Sequence, residues 1–81
     1  TVNAICPGAT KGPRIDAVIK NLAQAEGKSE EEIATRFLQD AALRRFVEAD
    51  DVASLAVFLA SDAGRNMTGQ DFNVSAGLVM Y

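Results

Sequence analysis

The sequence predicts an α/β fold built on parallel strands, and three observations carry that reading. Short apolar segments near the two ends, residues 2–6 and 71–76, have strand character. Three stretches of helical periodicity lie between them. A connection of that length, rich in helix, joins neighbouring parallel strands rather than a hairpin. With 81 residues of which 48% are hydrophobic, the chain suits a single globular unit.

The first strand lies in "TVNAIC", with Val2, Ala4 and Cys6 on one face and Ile5 on the other. Apolar residues on both faces point to a strand covered on both sides, as parallel strands usually are. The lone cysteine, Cys6, is expected as a small core residue rather than a nucleophile or metal ligand. Pro7 should end the strand because it has no amide hydrogen to give a ladder. Gly8 should then turn the chain through backbone angles closed to other residues.

From Pro13 the residues Ile15, Val18, Ile19 and Leu22 recur at the spacing of one helix face, and Gly27 is a stop signal. A second helix opens at "SEEE". Ser29 caps the Glu32 amide and the three glutamates favour the positive helix end, a better account than a metal or acid/base cluster. Its apolar face is Ile33, Phe37, Leu38 and Ala41. A third helix follows Asp50 as cap, with Val52, Leu55, Ala56 and Leu59 inward and Gly64 beyond its end. Asp50 and Asp51 stand where a cap and a first-turn anion belong, which explains them without catalysis. The closing strand alternates Phe72 and Val74 with Asp71, Asn73 and Ser75.

Charge and composition narrow the function. Eight Lys and Arg against 11 Asp and Glu give a net charge of −3, which disfavours a surface for nucleic-acid phosphates. No apolar run reaches the roughly 20 residues of a membrane-spanning helix, and a cytoplasmic protein is expected. The chain starts at Thr1 rather than Met, so it is expected to be a piece of a longer polypeptide. In open parallel sheets ligands bind beyond the carboxyl ends of the strands, which is where the Pro7 to Thr10 turn falls. Pro-Gly after a strand is also a common plain turn.

Three motifs in order, "VNAICPGAT", "EADDVASLAVFLASD" and "MTGQDFNVSAG", resemble the last third of a short-chain dehydrogenase/reductase over residues 2–77. The resemblance implies the C-terminal part of a Rossmann-type, doubly wound parallel sheet and an oxidoreductase that uses NAD or NADP. It places Pro7, Gly8, Ala9 and Thr10 against the nicotinamide end of the cofactor. Two positions depart from the family pattern. The threonine often found five residues after the proline is Gly12 here, for which Thr10 is a candidate substitute. The closing Val-Asp-Gly-Gly becomes Val74, Ser75, Ala76 and Gly77.

The family's glycine-rich loop, its Asn-Asn-Ala-Gly stretch, its catalytic serine and its Tyr-x-x-x-Lys pair are absent from the 81 residues. Tyr81 has no lysine after it and does not match the family's proton donor, so no catalytic residue is assigned. The chain alone is expected to be inert. Residues 11–46 match the family's substrate lid, which often orders only around ligand. Arg14, Ile15, Val18 and Ile19 are its candidate substrate contacts, for an anionic group and an apolar pocket. The alternative is that the three apolar residues pack the helix down and Arg14 is solvated. Residues 52–60 and 72–76 correspond to a subunit interface of a homotetramer. A small alcohol or carbonyl compound is the implied substrate, and the remainder of the polypeptide is the implied partner. The competing reading is a non-catalytic assembly module that kept these elements without the chemistry, and it requires the chain to fold alone. Two strands leave most edges and faces without cover, which favours the first reading.

Overall fold

A computed structural model describes residues 1–79 of the 81; Tyr81 lies outside the described residues. The elements run β1 (Ala4–Pro7), α1 (Pro13–Glu26), α2 (Glu30–Phe37), α3 (Ala49–Ala60), a 3-10 turn (Asp62–Gly64) and β2 (Asp71–Val74). β1 and β2 pair in parallel, with Ala4 opposite Asp71 and Pro7 opposite Val74. The connection of three helices therefore joins parallel neighbours, as its length demands.

β1 ends at Pro7, as expected, although Pro7 itself still pairs with β2 opposite Val74. Bonds to β2 leave from the even positions: Ala4 N–H donates to the Gln70 carbonyl and Gly8 N–H to the Val74 carbonyl, both at 2.9 Å. The odd position Pro7 faces the other edge, where its missing N–H costs β1·β2 pairing nothing. At the amino end of the sheet Asn3 fixes the register. Its Nδ2 donates to the Met67 carbonyl at 2.9 Å and its Oδ1 accepts from Gln70 N–H at 3.0 Å.

α1 begins with Pro13 in its first turn and stops at Gly27, whose φ of 63° lies in the left-handed region. α2 is capped by Ser29, whose hydroxyl accepts from Glu32 N–H at 3.1 Å. It ends at Phe37, so Leu38 and Ala41 lie past the helix; Ala41 is nevertheless buried. α3 starts one residue before the expected cap. Glu48 takes the cap position, and Asp51 reaches back to accept its N–H at 2.9 Å, which leaves Asp50 inside the first turn. A carboxylate at the third helical position can satisfy the cap's own amide, and this interaction outranks Asp50 as a stop-start signal.

The core sits in the helices, not on the sheet. Ile19, Ala23 and Ile33 are buried between α1 and α2, with Ile15, Leu22, Ala34, Phe37 and Phe46 packed around them. A bidentate ion pair from Arg36 to Glu26, at 3.0 and 2.7 Å, ties the ends of the two helices. By contrast Cys6 is exposed, against the sequence expectation, and β1 is not covered on both sides. α3 lies against β1; of its expected inner residues Val52, Leu55 and Leu59 are half-buried, Ala56 is exposed, and α3 has no buried residue. The physical reason is coverage: each strand has one paired edge, and no second layer lies over the far face among the described residues.

Candidate functional site

The carboxyl ends of both strands and the return from the helices meet in one place. After β1 the chain runs through Gly8 to Lys11 alongside Val47, as a parallel bridge centred on Thr10. Val47 N–H donates to the Ala9 carbonyl and Lys11 N–H to the Val47 carbonyl, both at 2.8 Å. The loop after β2 holds the same return segment from the other side. Leu43 N–H donates to the Ala76 carbonyl at 2.9 Å and Ala42 N–H to the Gly77 carbonyl at 3.3 Å.

Gly8 is needed here for closeness rather than for an unusual φ. A Cβ on it would stand 2.9 Å from the Ser75 Cα and 3.2 Å from the Ser75 carbonyl oxygen. No ordinary side chain fits that gap, and Gly8 is absent from the left-handed positions. The sequence reading of Gly8 as a residue turning through forbidden angles is therefore corrected. The requirement comes from the neighbouring strand.

Those angles occur instead after β2. Ala76 has φ 52° and Gly77 φ 84°. At Gly77 a Cβ would also meet the Ala42 Cβ at 2.5 Å. Ala76 stands where the family pattern has its first glycine, and in the left-handed region a Cβ carries a penalty of about 1–2 kcal/mol. Ser75, which alternates with the apolar residues of the closing segment, is 7% exposed. Its hydroxyl closes the loop, accepting from Val79 N–H at 3.2 Å and lying 3.3 Å from the Val79 carbonyl. No pattern in the strand announces this, because the partner lies beyond it.

The turn keeps two unspent donors. The bridge to Val47 uses the Ala9 carbonyl and the Lys11 amide, so Thr10 directs its own N–H away from Val47. Among the described residues the N–H groups of Ala9 and Thr10 enter no hydrogen bond. The Thr10 hydroxyl does not project a free donor: it donates to the Gly8 carbonyl at 3.0 Å and braces the turn. This leaves its oxygen as an acceptor.

The four residues assigned to the substrate side lie on α1 but divide between surface and core. Arg14 and Val18 are exposed, Val18 at 40%. Ile15 is half-buried against the helical core and Ile19 is inside it at 5%. Sequence reasoning missed Lys11, at the mouth of this segment. Its ammonium lies 2.6 Å from the Asp16 carboxylate and 5.6 Å from the centre of the Phe46 ring. A Lys five residues ahead of an Asp across a helix start is a signal that could have found half of this. Among the described residues no group of His, Cys, Asp and Glu could hold a metal ion, and no helix is long and apolar enough to cross a membrane.

Comparison with known proteins gives one consistent answer. Residues 1–79 match the family described as Enoyl-(Acyl carrier protein) reductase. The chain is 40% identical to a putative ketoacyl reductase of monensin polyketide synthase from Streptomyces virginiae, over 96% of this chain and 30% of that protein. It superposes on a short chain dehydrogenase family protein from Francisella tularensis with a TM-score of 0.89 and 28% identity, over 95% of this chain and 32% of that one. On the F189W actinorhodin polyketide ketoreductase, solved with NADPH, the TM-score is 0.83 at 31% identity, over 100% of this chain and 31% of that one. The chain thus spans about a third of the length of the proteins it matches. Profile, sequence and three-dimensional likeness agree with the motifs at both strand ends, and the chain belongs to the short-chain dehydrogenase/reductase family.

Proposed function

We propose that this chain forms the nicotinamide-side third of an NAD- or NADP-dependent oxidoreductase that interconverts a small alcohol and its carbonyl compound. The observation that carries the reading is the turn itself: unspent Ala9 and Thr10 N–H groups at the carboxyl end of a parallel strand. An unspent backbone donor in that position, such as the Thr10 N–H directed away from Val47, suits a carboxamide oxygen, and Pro7 nearby offers an apolar surface with no donor of its own. When bound, the dinucleotide supplies or accepts the hydride. Pro7, Gly8, Ala9 and Thr10 hold and orient its amide end, and the Thr10 hydroxyl keeps the turn in shape through the Gly8 carbonyl.

On the substrate side, residues 11–46 act as the lid. Arg14 pairs with an anionic group, Val18 and Ile15 offer apolar contact, and Ile19 supports α1 from within the core. The names of the ketoacyl reductase relatives favour ketone reduction as the direction. A proton donor comes from residues other than these 81, whose motifs include no general acid, so the isolated chain is inert. Exposed Val57, at 70%, and Phe58, at 43%, suit α3 to a subunit contact in a homotetramer of a cytoplasmic enzyme.

The test is titration of the full-length natural protein with NADH and NADPH, followed by nicotinamide fluorescence. Saturable binding of either supports the proposal, and binding of neither refutes it. Ketone turnover by the 81-residue chain alone would refute its inertness. The non-catalytic module is distinguished by the same titration together with a cooperative denaturant transition of that chain alone.

A further inference from the structure

The helical segment leaves the sheet at Lys11 and returns at Val47 through a single neck. The return strand is pinned twice by main-chain bonds, to the turn through Ala9 and Lys11 and to the loop after β2 through Ala76 and Gly77. The departing strand is different. Gly12 is fully extended, with φ 166° and ψ 178°, and a Cβ on it would find nothing within 4 Å. The chain at Gly12 thus crosses open space between the turn and α1.

Lys11 spans that crossing with its side chain. The ammonium pairs with Asp16 in the first turn of α1 at 2.6 Å and lies over the Phe46 ring at 5.6 Å, within the range of a cation–π contact. Phe46 in turn packs on the core of Ile19, Ala23 and Ile33. One cation therefore touches both the first turn of α1 and the return segment just before Val47, while its own amide is bonded into the neck.

We propose that Lys11 is a positioning residue that latches the α1/α2 hairpin to the cofactor-side turn and so sets where Arg14 and Val18 stand relative to it. The functional consequence rests on the reading given above; the latch does not. Both contacts are partly solvated, with the Lys11 and Asp16 side chains about half exposed. The latch is accordingly weak and reversible, as a segment that admits ligand requires.

The test compares amide hydrogen exchange in the full-length natural protein and two variants. Lys11→Met keeps the apolar stem and removes the charge. It should speed exchange in α1 and α2 by about three- to tenfold, the factor two such contacts supply, and leave β1 and β2 unchanged. Lys11→Arg retains a cation for both partners and should restore protection. Unchanged exchange in Lys11→Met, or an arginine variant no better protected than the methionine one, overturns the latch. NADPH and NADH titration of the wild type, run in parallel, decides the functional reading separately: if neither binds, that reading falls and the exchange comparison still judges the latch.

Discussion

Gly8→Ala probes the contact on which the site's shape depends. The added methyl group would stand 2.9 Å from the Ser75 Cα, 3.1 Å from its Cβ and 3.2 Å from its carbonyl oxygen. Two of these atoms are main chain, so no rotamer change relieves the clash; the strand ends must separate. Overpacking of this kind costs about 1–3 kcal/mol. Separation also stretches the 2.9 Å bond from Gly8 N–H to the Val74 carbonyl, which contributes about 0.5–1.5 kcal/mol. The control is Gly12→Ala. Gly12 is extended and open, so the loss at a helix cap and the gain from a stiffer unfolded chain offset to within about 0.5 kcal/mol. Urea denaturation of the full-length natural protein carrying either change measures the difference. A Gly8→Ala variant as stable as Gly12→Ala would refute the argument that strand proximity, rather than cofactor access alone, requires glycine at this position.

Further outcomes are expected. Ala76→Gly should stabilise the protein by about 1 kcal/mol in thermal unfolding, since φ 52° is strained for alanine; Gly77→Ala should destabilise it, being both left-handed and 2.5 Å from the Ala42 Cβ. Thr10→Val removes the bond to the Gly8 carbonyl and should cost about 0.5–1.5 kcal/mol in the same assay, with weaker NADPH or NADH binding by titration. Asn3→Ala deletes two bonds that fix the register and should cost about 1–3 kcal/mol, read by urea denaturation. The Arg36 guanidinium, by hydrogen bond first, holds the Glu26 carboxyl below its usual 4.5. A lowered folded-state pKa gives stability that is present above that value and lost as pH falls through the folded one, so protection of the α1 and α2 ends in hydrogen exchange should decline on acidification below 4.5, and Glu26→Gln should abolish that dependence.

What the sequence made legible follows the range of the interactions concerned. Pro13, Gly27 and Ser29 mark helix ends through bonds to residues a few positions away, and those ends fall where they were expected. The parallel pairing of β1 with β2 was equally readable, because connection length alone excludes a hairpin. Local signals failed where two of them competed: Asp50 and Glu48 are both acceptable caps, and the choice turns on Asp51 reaching the Glu48 amide. They failed more deeply where the partner is remote. Neither Gly8 nor Ser75 reveals in its own neighbourhood that their main chains lie in contact. Cys6 was assigned to a core because its segment is apolar on both faces. That pattern records a strand that needs cover on both faces, and among the described residues no second layer lies over the far face of the sheet.

The same division separates the two halves of the candidate site. The turn at Gly8 to Lys11 is held by main-chain bonds to Val74 and Val47, whose geometry tolerates many side chains and few changes at glycine or proline. The hairpin beside it is held by side chains: the Ile19, Ala23 and Ile33 core, the Glu26 and Arg36 pair, and the Lys11 contacts. Main-chain bonding fixes a position to within a fraction of an ångström, whereas a small helical core with half-exposed ion pairs admits reorientation at low energy. Substitutions at the turn should therefore disturb fold and cofactor binding together. Substitutions on α1 outside its core, at Arg14 and Val18, should change which substrate is accepted with little effect on stability. Paired measurement of unfolding free energy and cofactor affinity for one variant of each kind checks that separation: a large stability loss in Arg14→Ala would contradict it.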